Sequence, residues 1–146
     1  MPSDTVLMLE DSEERVLRFT ATLRRLDPSL RLVVWRGARR MLGELAELLP
    51  AARLISLDHD LEPDPADPAD PGDGLDVAKW LAERPPACPV IVHTSNGVRG
   101  DAMAGELELA GWLFARVTPL GDDWIEVDWR ASVRRLLGKS ARKRDK

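Results

Sequence analysis

Residues 54 to 61 read Leu-Ile-Ser-Leu-Asp-His-Asp-Leu, an apolar run that ends abruptly in Asp58, His59 and Asp60. Two other apolar runs end in the same way, one in Glu10-Asp11 and one in His93-Thr94-Ser95-Asn96. Glu10, Asp11 and Asp58 offer hard oxygen ligands, a set that suits Mg²⁺ (or Mn²⁺) with water and a phosphate completing the shell. Thr94, Ser95 and Asn96, with the N–H groups of a turn, suit phosphate oxygens. His59 and His93 are the two histidines of the chain. With ordinary pKa values of ~6.5, one imidazole can act as base while the other acts as acid. Opening a cyclic phosphodiester needs that pair: one group activates water and the other protonates the leaving oxygen. Asp58, His59 and His93 are therefore the candidate catalytic residues. Neighbours along a strand point to opposite faces, so His59, which follows Asp58, and His93, which precedes Thr94, need not both face the metal, although at a strand end either can swing in.

Each feature also has a plainer reading. Glu10 or Asp11 can cap a helix, a histidine at a strand end can be structural, and Thr94 to Asn96 can be ordinary turn residues. Asp58-x-Asp60 also matches the nucleophile motif of haloacid-dehalogenase-type phosphatases, without their downstream elements.

The elements that must position these residues alternate. Thr5 to Leu9 is a continuous apolar run, predicting a buried first strand. Ser12 is placed to cap a helix, with Glu13 and Glu14 in its first turn and Val16, Phe19, Leu23 and Leu26 at helical spacing. Leu30 to Trp35 predicts a second strand, and Ala38, Met41, Leu42, Leu45, Leu48 and Leu49 the stripe of a second helix closed by Pro50. The third strand is Arg53 to Asp58. Residues 62 to 74 hold four prolines at near-regular spacing among aspartates, which predicts a surface loop with a polyproline tendency. Leu75, Ala78 and Leu81 give a third helix, Pro89 to Thr94 a fourth strand, and Met103, Leu107 and Ala110 a fourth helix ended by Gly111. Trp112 to Val117 is a fifth strand, and Trp129, Val133, Leu136 and Leu137 line a last helix. Strands alternating with helices predict a parallel sheet covered on both faces. The expectation is an α/β flavodoxin-like, doubly wound sheet in the order 2-1-3-4-5, as a single domain over residues 4–138. In that order the first, third and fourth strands are neighbours, and their carboxyl ends meet in one crevice.

The chain has 146 residues with 44% hydrophobic and 32% charged, an ordinary globular composition. A net charge of -4 argues against nucleic-acid binding driven by overall charge. The segment 139–146 carries five Lys or Arg in eight residues and is expected to be an irregular basic tail, the one weak hint of nucleic acid. A single cysteine, Cys88, excludes an intramolecular disulfide and a cysteine-cluster metal site. The acidic start leads directly into a strand, and no apolar run approaches the ~18 residues of a membrane span. No signal peptide, no membrane and a cytoplasmic location are the expectation.

These residues resemble the receiver domains of two-component response regulators over about residues 4 to 138. Glu10-Asp11 after the first strand, Asp58 ending the third, Gly74 before the third helix, Thr94 ending the fourth strand and Pro119 after the fifth carry the likeness. The resemblance implies that Asp58 accepts a phosphoryl group from a histidine kinase and that a Lys before the last proline contacts it. Here that position is Thr118, with Arg116 two residues earlier, which counts against orthodox phospho-switching. A closer resemblance is to the divergent cyclic-phosphate processing receiver domains, which pair an LDHDL-type motif with an H-[ST]-x-N segment. Leu57 to Leu61, Gly74 to Leu81 and His93 to Asn96, with Gly100 and Met103, carry it. It implies a metal-dependent site that binds, and in an enzyme hydrolyses, cyclic phosphate esters of nucleotides or RNA ends. The alternative is a non-enzymatic receiver, phosphorylated on Asp58 or acting as a protein-interaction module.

Overall fold

Five parallel strands form one sheet in the order β2-β1-β3-β4-β5, as the alternation predicts. The computed structural model describes residues 4–67 and 69–144. The strands are β1 (Thr5–Leu9), β2 (Arg31–Trp35), β3 (Ala52–Leu57), β4 (Val90–Val92) and β5 (Phe114–Arg116). The helices are α1 (Glu13–Leu26), α2 (Ala38–Leu48), α3 (Gly74–Ala82), α4 (Gly97–Leu109) and α5 (Arg130–Arg144). A 3₁₀ turn at Leu49–Ala51 follows α2, and a π-helical turn at Ile125–Trp129 leads into α5. Helix α5 continues through Lys139 to Arg144, so most of the basic segment expected to be irregular is helix. Lys, Arg and Ala there are good helix formers, and the helix simply extends. Among the described residues no helix is long and apolar enough to cross a membrane.

Sequence sets the ends of the helices. Ser12 Oγ accepts from Arg15 N at 3.3 Å, with Glu13 and Glu14 in the first turn of α1. Asp73 and Asp76 form a capping box at the start of α3. Gly111, with φ +82°, ends α4 where a left-handed residue is required.

Pleat parity divides the core in two. Val6, Met8, Leu54 and Ile91 face α1 and α5, packing on Phe19, Leu23, Trp129 and Val133. Leu7, Leu9, Leu57 and Val92 face the other way, onto Met41, Leu45, Val77, Leu81 and Met103. The same alternation continues past the strand ends and decides which polar side chains meet.

The Asp/Pro segment is not a polyproline stretch. Asp64, Asp67 and Asp70 each accept, through Oδ1, the N–H two residues on, from Ala66, Ala69 and Gly72. These are Asx turns in series, because each Asp-Pro offers a side-chain acceptor and a fixed φ. The segment closes over the start of α2. Pro71 O accepts from Arg39 N at 3.2 Å, while Asp64 and Asp67 lie 4.0 and 3.7 Å from the guanidinium groups of Arg36 and Arg40. Gly37 caps α2 without a side chain, so the loop carbonyl does that work.

Gly74 fastens the end of this loop to β3. Its N–H donates to His59 O at 3.1 Å, and a Cβ there would lie 2.0 Å from Asp58 O and 2.8 Å from Met103 Cε. Backbone cannot yield as a side-chain tip does. Gly74→Ala is expected to lose about 1–3 kcal/mol of stability, read as a lower urea midpoint. An unchanged midpoint would contradict the close approach.

Candidate functional site

Glu10, Asp58 and His93 share one face because each lies an even number of residues beyond a side chain of the α1/α5 layer. Glu10 follows Met8, Asp58 follows Ser56 and Leu54, and His93 follows Ile91. The pairing of Leu57 with Val92 then sets the ends of β3 and β4 side by side. All three side chains are buried, and one ligand atom from each lies within 4.8 Å of the others. His93 Nε2 is 3.1 Å from Glu10 Oε1. Glu10 Oε2 accepts from Asp11 N and Ser12 N, both at 3.0 Å. Glu10 thus also anchors the turn into α1.

The other nitrogen of His93 is held from below. His93 Nδ1 is 2.7 Å from Ser56 Oγ, which accepts from Trp129 Nε1 at 3.1 Å. A proton on Nε2, donated to Glu10, lets the Ser56 hydroxyl donate to Nδ1 and satisfies every group. The ring packs against Phe19 and Trp124 at 5.2 and 6.1 Å between centroids. The π-helical turn is what brings Trp124 and Trp129 under this face.

Burial is the largest influence on both carboxyl groups and raises both, but the outcomes differ. Glu10 ends below its usual value, because the His93 hydrogen bond and charge, the Ser12 N–H and Arg15 outweigh burial. Asp58 is pushed up to about 6 by burial and by Glu10, against the opposing pull of His93, the His59 N–H and Arg15. Asp58 Oδ1 accepts from His59 N at 2.7 Å. Asp58 Oδ2 accepts no hydrogen bond among the described residues, and Arg15 Nη1 lies 3.9 Å away. Asp58 lines a crevice of about 450 Å³ together with Asp11, Arg15, Arg36 and Ser95.

The remaining expected site residues are placed differently. Asp11 stands outside the cluster: its Oδ2 accepts from Glu62 N at 2.6 Å, and burial raises its pKa. As the neighbour of Glu10 it faces the other way. His59 does not meet His93. Its Nδ1 lies 2.8 Å from Asp60 Oδ1, which with Asn96 holds the Asp60 carboxyl below its usual value. Its Nε2 lies 3.6 Å from Asp73 Oδ2, at the cap of α3. The two imidazoles therefore do not frame one phosphate. Thr94 Oγ1 is occupied by Asn96 N at 3.1 Å, and Asn96 caps α4 through Arg99 N and donates to Asp60. Of Thr94, Ser95 and Asn96, Ser95 is the one that lines the crevice.

Arg15 is the site residue that sequence reasoning missed. Its Nη1 lies 3.6 Å from Glu10 Oε1, and its guanidinium carbon sits 5.3 Å from the Trp124 ring centroid. Its position one turn into α1, beyond Glu10-Asp11, was the available signal. Arg116 takes no such part; it pairs with Asp101 and packs on Gly100. With Thr118 in the lysine position, Arg15 and Arg36 are the cations at the crevice.

A sequence profile described as the cyclic-phosphate processing receiver domain matches residues 6–109. The chain belongs to that family. Its solved neighbours are response-regulator receivers. The phosphorylated cyanobacterial phytochrome response regulator RcpA superposes with a TM-score of 0.68 at 16% identity, covering 94% of this chain and 95% of that one. The Mn²⁺-bound form of response regulator Rcp1 gives 0.66 at 19% identity, covering 91% and 94%. A receiver domain from Rhodospirillum rubrum gives 0.66 at 19% identity, covering 94% of each chain. At such identities these likenesses establish the fold. No curated protein matched the chain in sequence.

A divalent cation fits the residues present. Among the described residues Asp58 Oδ2 accepts no hydrogen bond, Glu10, Asp58 and His93 each bring one ligand atom within 4.8 Å of the others, and Arg15 is the fixed charge that approaches both carboxylates. In metal-free buffer the raised pKa has a definite sign. The Asp58 contribution to stability is full below its ordinary value of 3.8 and is lost as the pH climbs through about 6. Asp58→Asn removes that loss. Its advantage in thermal stability over the parent should be small at pH 4 and reach about 2–3 kcal/mol by pH 7.5. A pH-independent gap in the melting curves would contradict the raised pKa.

Proposed function

We propose that this receiver-like chain binds the phosphate group of a small ester in the crevice above Asp58, with a divalent cation, and hydrolyses a cyclic phosphate there. The observation that carries the reading is the replacement of the strand-five lysine by Thr118, with Arg15 brought to the Glu10–Asp58 pair from α1 instead. The phosphate would lie over Asp58 Oδ2, with Arg15, Arg36 and the Ser95 hydroxyl around it. A guanidinium recognises a phosphate through two parallel donors, which a lysine does not. The cation, when bound, polarises the phosphoryl oxygens.

The geometry supports Asp58 rather than a histidine pair as the proton-handling group. His93 is fully buried, and His59 is turned toward Asp60 and Asp73. In the proposed reaction a water oxygen forms the new bond to phosphorus and its proton passes to the Asp58 carboxylate. The ring P–O bond breaks, the freed oxygen takes a proton from crevice water, and Asp58 returns its proton to the hydroxide left behind. His93 keeps Glu10 in place from behind, and His59 holds the loop that ends at Asp73.

A second reading rests on the same free Asp58 oxygen: a receiver phosphorylated on Asp58 that passes its signal to a protein partner. Phosphorus NMR of the metal-loaded chain, first with a 2′,3′-cyclic nucleotide and then with acetyl phosphate, separates the two. A ring-opened monoester that disappears in Asp58→Asn is the expected result. A lasting acyl phosphate on Asp58 without turnover of the cyclic ester would establish the signalling reading instead. Neither product would refute both.

Arg15 provides an independent check. Arg15→Ala should weaken binding of the cyclic nucleotide by about 10-fold or more, the worth of a hydrogen bond to a charged group. The side chain is about one-third exposed, so the melting temperature should move little. Unchanged affinity, read by calorimetry, would exclude Arg15 from the phosphate site.

A further inference from the structure

We propose that Glu10, Asp58 and His93 form a mixed nitrogen–oxygen metal site, with the imidazole as a direct ligand and a preference for borderline ions such as Mn²⁺ and Zn²⁺ over Mg²⁺. The inference rests on the reading that the crevice carries a cation, and specifies which residues hold it and which class of ion they take. It differs from the three-carboxylate set that the strand ends suggest, because Asp11 is bound to Glu62 N and His93 takes its place.

Three features carry it. The donor atoms lie together without any further residue having to move in, on side chains that are all buried. Asp58 contributes one of them from a side chain nine-tenths buried, its Oδ2 accepts no hydrogen bond among the described residues, and the residue lines the crevice. That opening leaves a coordination position for water or a phosphate oxygen, as catalytic sites with three protein ligands do. The third feature lies outside the ligand set. His93 is held at Nδ1 by Ser56 Oγ, itself fixed by Trp129 Nε1–H. Histidines that bind metals are oriented in this way through their second nitrogen.

The Ser56 hydroxyl makes the exchange feasible because it both donates and accepts. With the proton on Nε2, His93 donates to Glu10 and accepts from Ser56. With the proton on Nδ1, the bond to Ser56 runs the other way. The Nε2 lone pair then faces the two carboxylates. Starting from a neutral ring, binding a cation needs only a move of the proton from one nitrogen to the other. Arg15, at 3.6 and 3.9 Å from the carboxylates, would be repelled toward the crevice, where the phosphate is expected. Imidazole is a ligand that Mn²⁺, Fe²⁺ and Zn²⁺ accept, whereas Mg²⁺ takes oxygen.

The test uses the metal-free full chain and the ions alone. Because the chain has two histidines, ring ¹⁵N resonances are few enough to assign. Titration with Zn²⁺ should shift Nε2 of His93 strongly and leave His59 in place. Calorimetry should show Mn²⁺ and Zn²⁺ binding about 100-fold or more tighter than Mg²⁺. Ser56→Ala should weaken Zn²⁺ binding about 10- to 100-fold, and His93→Gln should bring it near the Mg²⁺ value. If His93→Gln fails to fold, the ¹⁵N titration of the parent chain still decides. Unmoved His93 nitrogens in the Zn²⁺-bound chain, or equal affinity for Mg²⁺ and Zn²⁺, would overturn the proposal. Metal held by His93 with no affinity for a cyclic nucleotide would sink the proposed function while leaving the metal site intact. Nucleotide binding with His93 unmoved would do the reverse.

Discussion

The hydrogen bond between His93 Nε2 and Glu10 Oε1 joins the ends of β4 and β1 across β3, and the rest of the sheet edge is arranged around it. A buried carboxylate is costly unless its lone pairs are filled. Glu10 meets that demand with the His93 ring on one oxygen and two backbone N–H groups on the other. The backbone donors fix the turn that starts α1, and that turn delivers Arg15. The ring in turn needs Ser56 and Trp129 behind it. Asp58, between the two strands, is left with one oxygen facing outward. One buried pair therefore sets the helix entry, the position of the guanidinium and the reactivity of the central carboxyl group.

The division of labour between the two histidines follows from the same parity. His93 serves the metal face and is closed off from solvent, whereas His59 serves the opposite layer. There it sits between Asp60 and Asp73, the two ends of the loop that leaves and returns to the sheet. Asn96 reaches the same Asp60 from the start of α4. The LDHDL-type motif is thus two devices in one run of residues. Its first Asp looks into the crevice, and its His-Asp clasps the loop and the neighbouring helix.

Much of this was legible in the sequence. Apolar runs ending in acids gave the strands, and their alternation with helical stripes gave the sheet order. That the carboxyl ends of β1, β3 and β4 meet in one crevice follows from that order. What could not be read was the register between β3 and β4, and hence that Leu57 lies beside Val92 and brings Asp58 and His93 onto one face. Asp11 was grouped with Glu10 although neighbours diverge, because a strand end gives no sign of where the pleat stops. The Asx turns needed knowledge of side-chain acceptors that proline spacing alone obscures. Arg15 was missed because a lone arginine in an Arg-rich helix has no distinguishing pattern until the fold places it over Trp124. The basic end of the chain looked irregular by charge alone, yet its helix propensity prevailed.

The Asp-Pro triplets have a consequence for how this chain can vary. Each of Asp64, Asp67 and Asp70 closes its own turn on the residue two places along, and one backbone bond, Asp67 N to Asp64 O at 2.9 Å, links the first triplet to the second. The segment is in effect modular, and its natural unit of length is three residues. Its hydrogen-bonded attachments are at Glu62 and Pro71, with the Asp64–Arg36 and Asp67–Arg40 pairs between them. A triplet could be added or removed between those attachments while both ends keep their anchorage. That makes the cover over the start of α2, which meets the crevice at Arg36 and Glu62, adjustable in discrete steps without disturbing the buried groups beneath.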